Sequence, residues 1–220
     1  MTRTALVTGA SSGIGAAVAR ALASTYDVWL GARGVVTDVP GRPWPVDLLD
    51  FATFPRRTAE IETLDVLVHS AGTVEIASLE QHSVRTWREA FDLNVVAVAE
   101  LTRVLLPKLR AANGHVILIN SGSGMRANPH WGAYAASKFA LRAYADVLRA
   151  EEPSIRVTSV FPGRTATRMQ EQVRAAEGGE YRAEDYIQPV SVAMTVLNAI
   201  NTPADAHPTE VVIRPRGAVG

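Results

Sequence analysis

The chain has 220 residues, 47% of them hydrophobic, and its 22 Lys and Arg are matched by 22 Asp and Glu interspersed along it. This suits one domain over residues 1–220 with a sizeable core, and it excludes a broad basic footprint for nucleic acid and a polybasic membrane anchor. Cysteine is absent, which excludes disulfides, thiolate catalysis and cysteine-ligated metal, so any redox chemistry must come from a bound cofactor.

In chain order, an apolar strand at 5–8 runs into the turn Thr8-Gly9-Ala10-Ser11-Ser12-Gly13-Ile14-Gly15, and Ile14, Val18, Ala21 and Leu22 then recur at helical spacing. A second strand at 28–32 ends at Arg33. The stretch from Arg33 to Asp47 carries Gly34, Pro40, Gly41, Pro43 and Pro45, which predicts a loop where a crossover helix would ordinarily stand. Within it, 44–46 forms a short strand, and a helix is expected over 51–64. A strand at 66–69 follows, then a helix marked by Trp87, Phe91 and Val95, a strand at 116–119, a long helix through 139–148 and a strand at 156–161. Residues 175–179 form a small-residue break, and 211–213 is the last strand. Alternating strands and helices imply an α/β, doubly wound Rossmann fold with a mostly parallel, seven-stranded sheet. No charged leader precedes a long apolar run and no segment approaches about 18 apolar residues, so a cytoplasmic protein with no membrane partner is expected.

The glycine turn carries the first chemistry. After a first strand and before a helix, Gly9, Gly13 and Gly15 remove side chains where backbone must approach a pyrophosphate, leaving the amides of Ser11, Ser12 and Ile14 and the helix dipole facing it. The second strand ends without a carboxylate to receive a ribose 2′-hydroxyl and presents Arg33 instead. A guanidinium suits a 2′-phosphate, so NADP is the expected cofactor, with NADPH preferred over NADH. The alternative for Arg33 is a solvated strand end. Asp47 can bond the adenine edge or cap the segment after it.

Tyr134 and Lys138 stand four apart in Tyr134-Ala-Ala-Ser-Lys138 and so share a helix face. A free phenol titrates near pH ~10, and a cation about 4 Å away is worth roughly 4 kcal/mol at an effective dielectric of about 20, or roughly 3 pKa units toward phenolate. Ser121 lies thirteen positions before Tyr134, in Ser121-Gly122-Ser123-Gly124.

The glycine turn, Ser121, Tyr134-x-x-x-Lys138, Ala71-Gly72, Asn94 in Leu93-Asn94-Val95, and Pro162-Gly163 occur in an order that resembles the classical short-chain dehydrogenase/reductase family over nearly the whole chain. The resemblance implies that Tyr134 protonates the developing alkoxide during carbonyl reduction and that Ser121 polarises the substrate oxygen. It also implies that Lys138 holds the nicotinamide ribose, and that Asn94 places a water joining Lys138 to solvent. Ala71, Gly72, Pro162, Gly163 and Thr167 join Asn94, Tyr134 and Lys138 at the cofactor, with Thr165 a weaker claimant than Thr167. Ser123 competes with Ser121 for the catalytic role, and the thirteen-residue spacing favours Ser121. His69-Ser70 departs from the two asparagines common before Ala-Gly, and His69 is read as a strand-end residue without a catalytic task.

Ser121, Ser123, His130, Trp131 and Met169 are the substrate-side candidates, with 170–186 as a lid. That lid is rich in Glu, Gln, Arg and Ala and lacks the apolar lining for a steroid or long acyl chain, which favours a small or polar carbonyl compound and its secondary alcohol. A non-catalytic cofactor-sensing module and an acyl-carrier ketoreductase are the alternatives. The resemblance further implies a homodimer or homotetramer through 86–112 and 133–150, with Leu101, Val104, Leu105, Phe139 and Tyr144 as contacts or as intrachain core.

Overall fold

Seven strands, all parallel, form one sheet in the order β3-β2-β1-β4-β5-β6-β7. The coordinates are a computed structural model, and they describe residues 3–216. The strands are β1 (Arg3–Thr8), β2 (Tyr26–Ala32), β3 (Arg42–Pro45), β4 (Val66–His69), β5 (His115–Ile119), β6 (Arg156–Pro162) and β7 (Glu210–Ile213). The helices are α1 (Gly13–Leu22), α2 (Phe54–Arg57), α3 (Val84–Phe91), α4 (Ala97–Ala112), α5 (Gly132–Glu151), α6 (Arg168–Ala176) and α7 (Pro189–Asn201). The wholly parallel sheet follows from the crossovers, which return each strand in the same direction.

Because successive strand residues point to opposite faces, the central strands feed two cores. Ala5, Val7, Val66, Val68, Ile117 and Ile119 face α1 and α7, whereas Leu6, Leu67, Val116 and Leu118 face the leucines of α4 and α5. Leu101 and Leu105 are completely buried in this second core and so belong to the chain's own interior; Phe139 is 42% exposed.

The 33–41 connection is a loop, as its prolines and glycines dictate. Val36 and Val39 plug into the α1–α7 core where a crossover helix would otherwise lie. The expected helix over 51–64 is corrected: a 3-10 turn at Phe51–Thr53 and the single turn of α2 end at Arg57. The carbonyls that would continue it are taken by side chains. The Trp44 indole donates to the Arg57 carbonyl at 2.6 Å and the Lys108 ammonium donates to that of Thr58, while the Thr58 hydroxyl adds a bond of 2.8 Å to the Phe54 carbonyl that the Thr58 amide already reaches. Beyond this point Ile61 and Leu64 enter the core from irregular backbone.

Between α3 and α4 the helix continues through one π-turn, Asp92–Val96, in which the Ala97 N–H reaches back to the Asp92 carbonyl. Such turns insert one residue without breaking the rod. Asn94 sits inside it.

Candidate active site

The strand order reverses at β1 and β4, and there the crossovers leave in opposite directions, opening a crevice at the carboxyl ends of the strands. A cavity of about 490 Å³ occupies it. Gly9, Ser11, Ser12, Gly13, Ile14 and Gly15 form one wall, and Ala71, Gly72, Tyr134, Lys138, Thr167 and Met169 approach from other elements. The Thr8 hydroxyl ties the two central strands together, accepting from the amides of Ser70 at 3.1 Å and Ala71 at 3.3 Å.

The turn has no room for side chains. Gly9 has φ +69°, and a Cβ there would stand 2.9 Å from the Ala71 amide nitrogen; a Cβ on Gly15 would stand 2.3 Å from the Gly9 carbonyl oxygen. Ser12 is extended at the N-cap and its hydroxyl makes no cap bond, so the first amides of α1 are left without that internal acceptor. Amides and a helix dipole converging on a side-chain-free hollow fit the diphosphate of a dinucleotide.

On the opposite wall, α5 presents Tyr134 and Lys138, 7% and 5% exposed. The Lys138 ammonium donates to the Ile119 carbonyl at 3.0 Å and lies 5.8 Å from the Tyr134 ring centre. The Asn120 amide donates to the Lys138 carbonyl at 3.2 Å, so this lysine is fastened to the end of β5 at both its backbone and its tip. Burial lowers the Lys138 pKa to about 8. Burial raises that of Tyr134, opposed by a hydrogen bond from Ser121. The expected lowering of Tyr134 by Lys138 is therefore corrected: burial outweighs the opposing hydrogen bond from Ser121, and the ammonium is turned toward the Ile119 carbonyl.

Ser121 closes β5, and its Oγ accepts from the Ser123 amide at 3.1 Å. Ser123 is thus a turn residue, buried in the 3-10 segment Gly122–Gly124. Asn94 is 1% exposed, and both hydrogens of its side-chain amide are engaged locally. It accepts from the Thr73 amide at 2.9 Å and donates to the Thr73 carbonyl and the Ser137 hydroxyl, both at 3.0 Å. It clamps the loop after β4 to α5 at Ser137, which lies between Tyr134 and Lys138 in the sequence.

Other predicted residues separate into groups. Arg33 is exposed and borders the cavity beside Asp47, whose Oδ1 accepts from the Leu49 amide at 2.9 Å, the capping alternative. Thr167 borders the cavity while its hydroxyl caps α6. Pro162, Gly163 and Thr165 are not on the cavity wall; the Thr165 hydroxyl donates back to the Gly163 carbonyl at 3.0 Å. Ser121, His130 and Trp131 also lie off this wall, but the Trp131 ring packs against that of Tyr134 with their centres 5.7 Å apart. His130 is exposed and takes φ +70°, with its carbonyl accepting from the Ala77 amide at 3.0 Å. Asn120 borders the cavity and was not singled out from sequence; its place immediately before Ser121 at a strand end was the available signal. Among the described residues no group of three or more His, Cys, Asp or Glu could hold a metal, and no helix is long and apolar enough to cross a membrane.

His69 is completely enclosed, with Nε2 2.9 Å from the Thr102 hydroxyl; that hydroxyl donates to the Val98 carbonyl, so the ring nitrogen is the donor. Burial lowers its pKa to about 3, and burial with nearby Arg156 and His207 does the same for His115. Both rings must stay neutral in the fold. Stability should be full above the unfolded-state value near 6.5 and decline as pH falls toward 3, by up to about 1.4 kcal/mol per pH unit for each ring. Melting temperatures measured from pH 7 to 4 should show this decline, and a shallower one in His115→Gln; an unchanged slope would mean that His115 can be protonated in place.

The model of the family described as short chain dehydrogenase matches residues 43–178. Glycine betaine reductase ATRR of Emericella nidulans is 34% identical over 97% of this chain, which spans only 19% of that protein's length. Dehydrogenase/reductase SDR family member 11 of Mus musculus is 30% identical, with 97% of this chain matched to 94% of it. Among solved structures, an alcohol dehydrogenase from the archaeon Thermococcus sibiricus complexed with 5-hydroxy-NADP superimposes with a TM-score of 0.87 at 25% identity, covering 97% of both chains.

Proposed function

The chain belongs to the short-chain dehydrogenase/reductase family, and from that premise we propose that it is an NADPH-dependent reductase of small or polar carbonyl compounds, running in reverse on their secondary alcohols. The observation that carries this reading is the burial of Tyr134 and Lys138 together on the wall of the cavity that the glycine turn closes from the other side. When bound, the nicotinamide supplies the hydride. The Tyr134 hydroxyl gives its proton to the carbonyl oxygen as that oxygen gains negative charge, and the Ser121 hydroxyl donates a hydrogen bond to the same atom. Lys138, with its pKa about 8, remains mostly cationic at neutral pH and favours the phenolate left behind. Asn94 holds the loop after β4 against α5 and orders the water through which Lys138 is linked to solvent.

The glycine-turn amides and Thr167 hold the diphosphate and nicotinamide halves of the cofactor. Arg33 holds the 2′-phosphate. Among the described residues its guanidinium has no carboxylate partner, and the alcohol dehydrogenase with a TM-score of 0.87 carries an NADP derivative. Charge-assisted hydrogen bonds of this kind are worth about 1.5–3 kcal/mol, so Arg33→Ala should weaken NADPH roughly ten- to hundredfold and NADH little. Equal losses for the two would assign Arg33 to solvent. The reaction itself is tested by a panel of carbonyl compounds followed at the nicotinamide absorbance with each cofactor; oxidation of NADPH with none of them would overturn the reductase reading.

A further inference from the structure

Behind Trp131 lies an ion cluster that the reaction does not use. Arg164, on the loop after β6, places its guanidinium 5.9 Å from the Trp131 ring centre, and that ring lies 5.7 Å from Tyr134. Both terminal nitrogens of Arg164 are held by Glu177, at the C-terminal end of α6, at 2.6 and 2.8 Å. Arg174 donates to the same carboxylate at 2.8 Å. All three side chains are about three-quarters or more buried, with exposures of 23%, 18% and 27% for Arg164, Glu177 and Arg174. A forked, partly desolvated contact of this kind is the geometry with which arginine grips any carboxylate.

The backbone of Arg164 is held independently of this contact. Its carbonyl accepts from the Ile187 amide at 3.1 Å, and the Ala166 amide donates to the Ile187 carbonyl at 2.8 Å. Glu177 therefore governs where the guanidinium is directed, not where the chain runs. The fork that would seize a substrate carboxylate beside Trp131 is already filled by an internal one.

We propose that Glu177 is a specificity-determining residue: by occupying both terminal nitrogens of Arg164 it withholds that cation from carboxylate-bearing compounds and reserves the site beside Trp131 and Tyr134 for uncharged carbonyl substrates. This rests on the reductase reading. In Glu177→Gln the side chain keeps its size and loses its charge, so Arg164 becomes available to an anionic substrate.

The test uses benzoylformate and its methyl ester with the full chain saturated in NADP. Calorimetric titration should show Glu177→Gln binding benzoylformate at least about tenfold tighter than the native protein, with the ester changed by less than about threefold. Glu177→Asp should behave as native, and Arg164→Gln combined with Glu177→Gln should lose the gain. A melting temperature within a few degrees of native confirms that each variant is folded. No gain for benzoylformate in folded Glu177→Gln, or a gain that survives the loss of Arg164, would overturn the proposal. Because binding is read without turnover, these outcomes are distinct from failure of either compound to oxidise NADPH, which bears on the reductase reading alone.

Discussion

Tyr134→Phe is expected to lower carbonyl turnover by about 10²–10⁴-fold while leaving NADPH affinity within about twofold. The ring is what packs: it lies 5.7 Å from Trp131 and 5.8 Å from the Lys138 ammonium, and phenylalanine keeps both contacts. Only the hydroxyl is lost, together with the hydrogen bond it receives from Ser121. Ser121 is partly open and can turn to water, so stability should fall by no more than about 1 kcal/mol. Stopped-flow and steady-state rates with a reducible ketone, beside a fluorescence titration of NADPH, separate the two effects. Turnover above about one tenth of native would remove Tyr134 from the proton-donor role.

The second large effect is expected at Gly15. An alanine methyl there would sit 2.3 Å from the Gly9 carbonyl oxygen and 3.1 Å from that of Thr8. Both obstacles are backbone, so no side chain can swing away, and relief requires the whole turn to move off β1. Overpacking of this kind costs about 1–3 kcal/mol, with the upper end expected here, which corresponds to a fall of about 6–12 °C in melting temperature for a chain of this length. The same movement spoils the amides that would receive the diphosphate, so cofactor affinity should drop more than about tenfold. A Gly15→Ala protein with native melting temperature and native NADPH affinity would show that the close approach is not required.

The two sites differ in how plainly the sequence announces them. The glycine turn and Tyr134-x-x-x-Lys138 are local patterns, and local patterns map onto local geometry: a strand, a turn and the first residues of α1 for one, a single face of α5 for the other. The five inner strands, β2, β1, β4, β5 and β6, were legible for the same reason, since apolar, β-branched runs buried on both faces have few other uses. The overextended helix at 51–64 failed because its terminators, Trp44 and Lys108, lie outside it, the lysine 50 residues from the carbonyl it takes. The direction of the Tyr134 shift failed because helical spacing reports distance along a face and says nothing of how dry that face is. Arg164 and Glu177, thirteen residues apart across an irregular loop and a helix, share no period that would have paired them. Arg33 was visible as a residue; what it binds depends on a partner from outside the chain.

The π-turn at Asp92–Val96 has a consequence for the shape of the molecule. One additional residue in a rod with 3.6 residues per turn offsets the two halves by about 100°. The first half directs Thr86 at Glu75, bonded at 3.1 Å, while the second directs Leu101, Leu105 and Leu109 into the sheet core. A regular helix would hold one azimuth from end to end. This one works as a fixed rotary coupling, and Asn94 at the joint touches both the loop after β4 and α5 because it is committed to the phase of neither half.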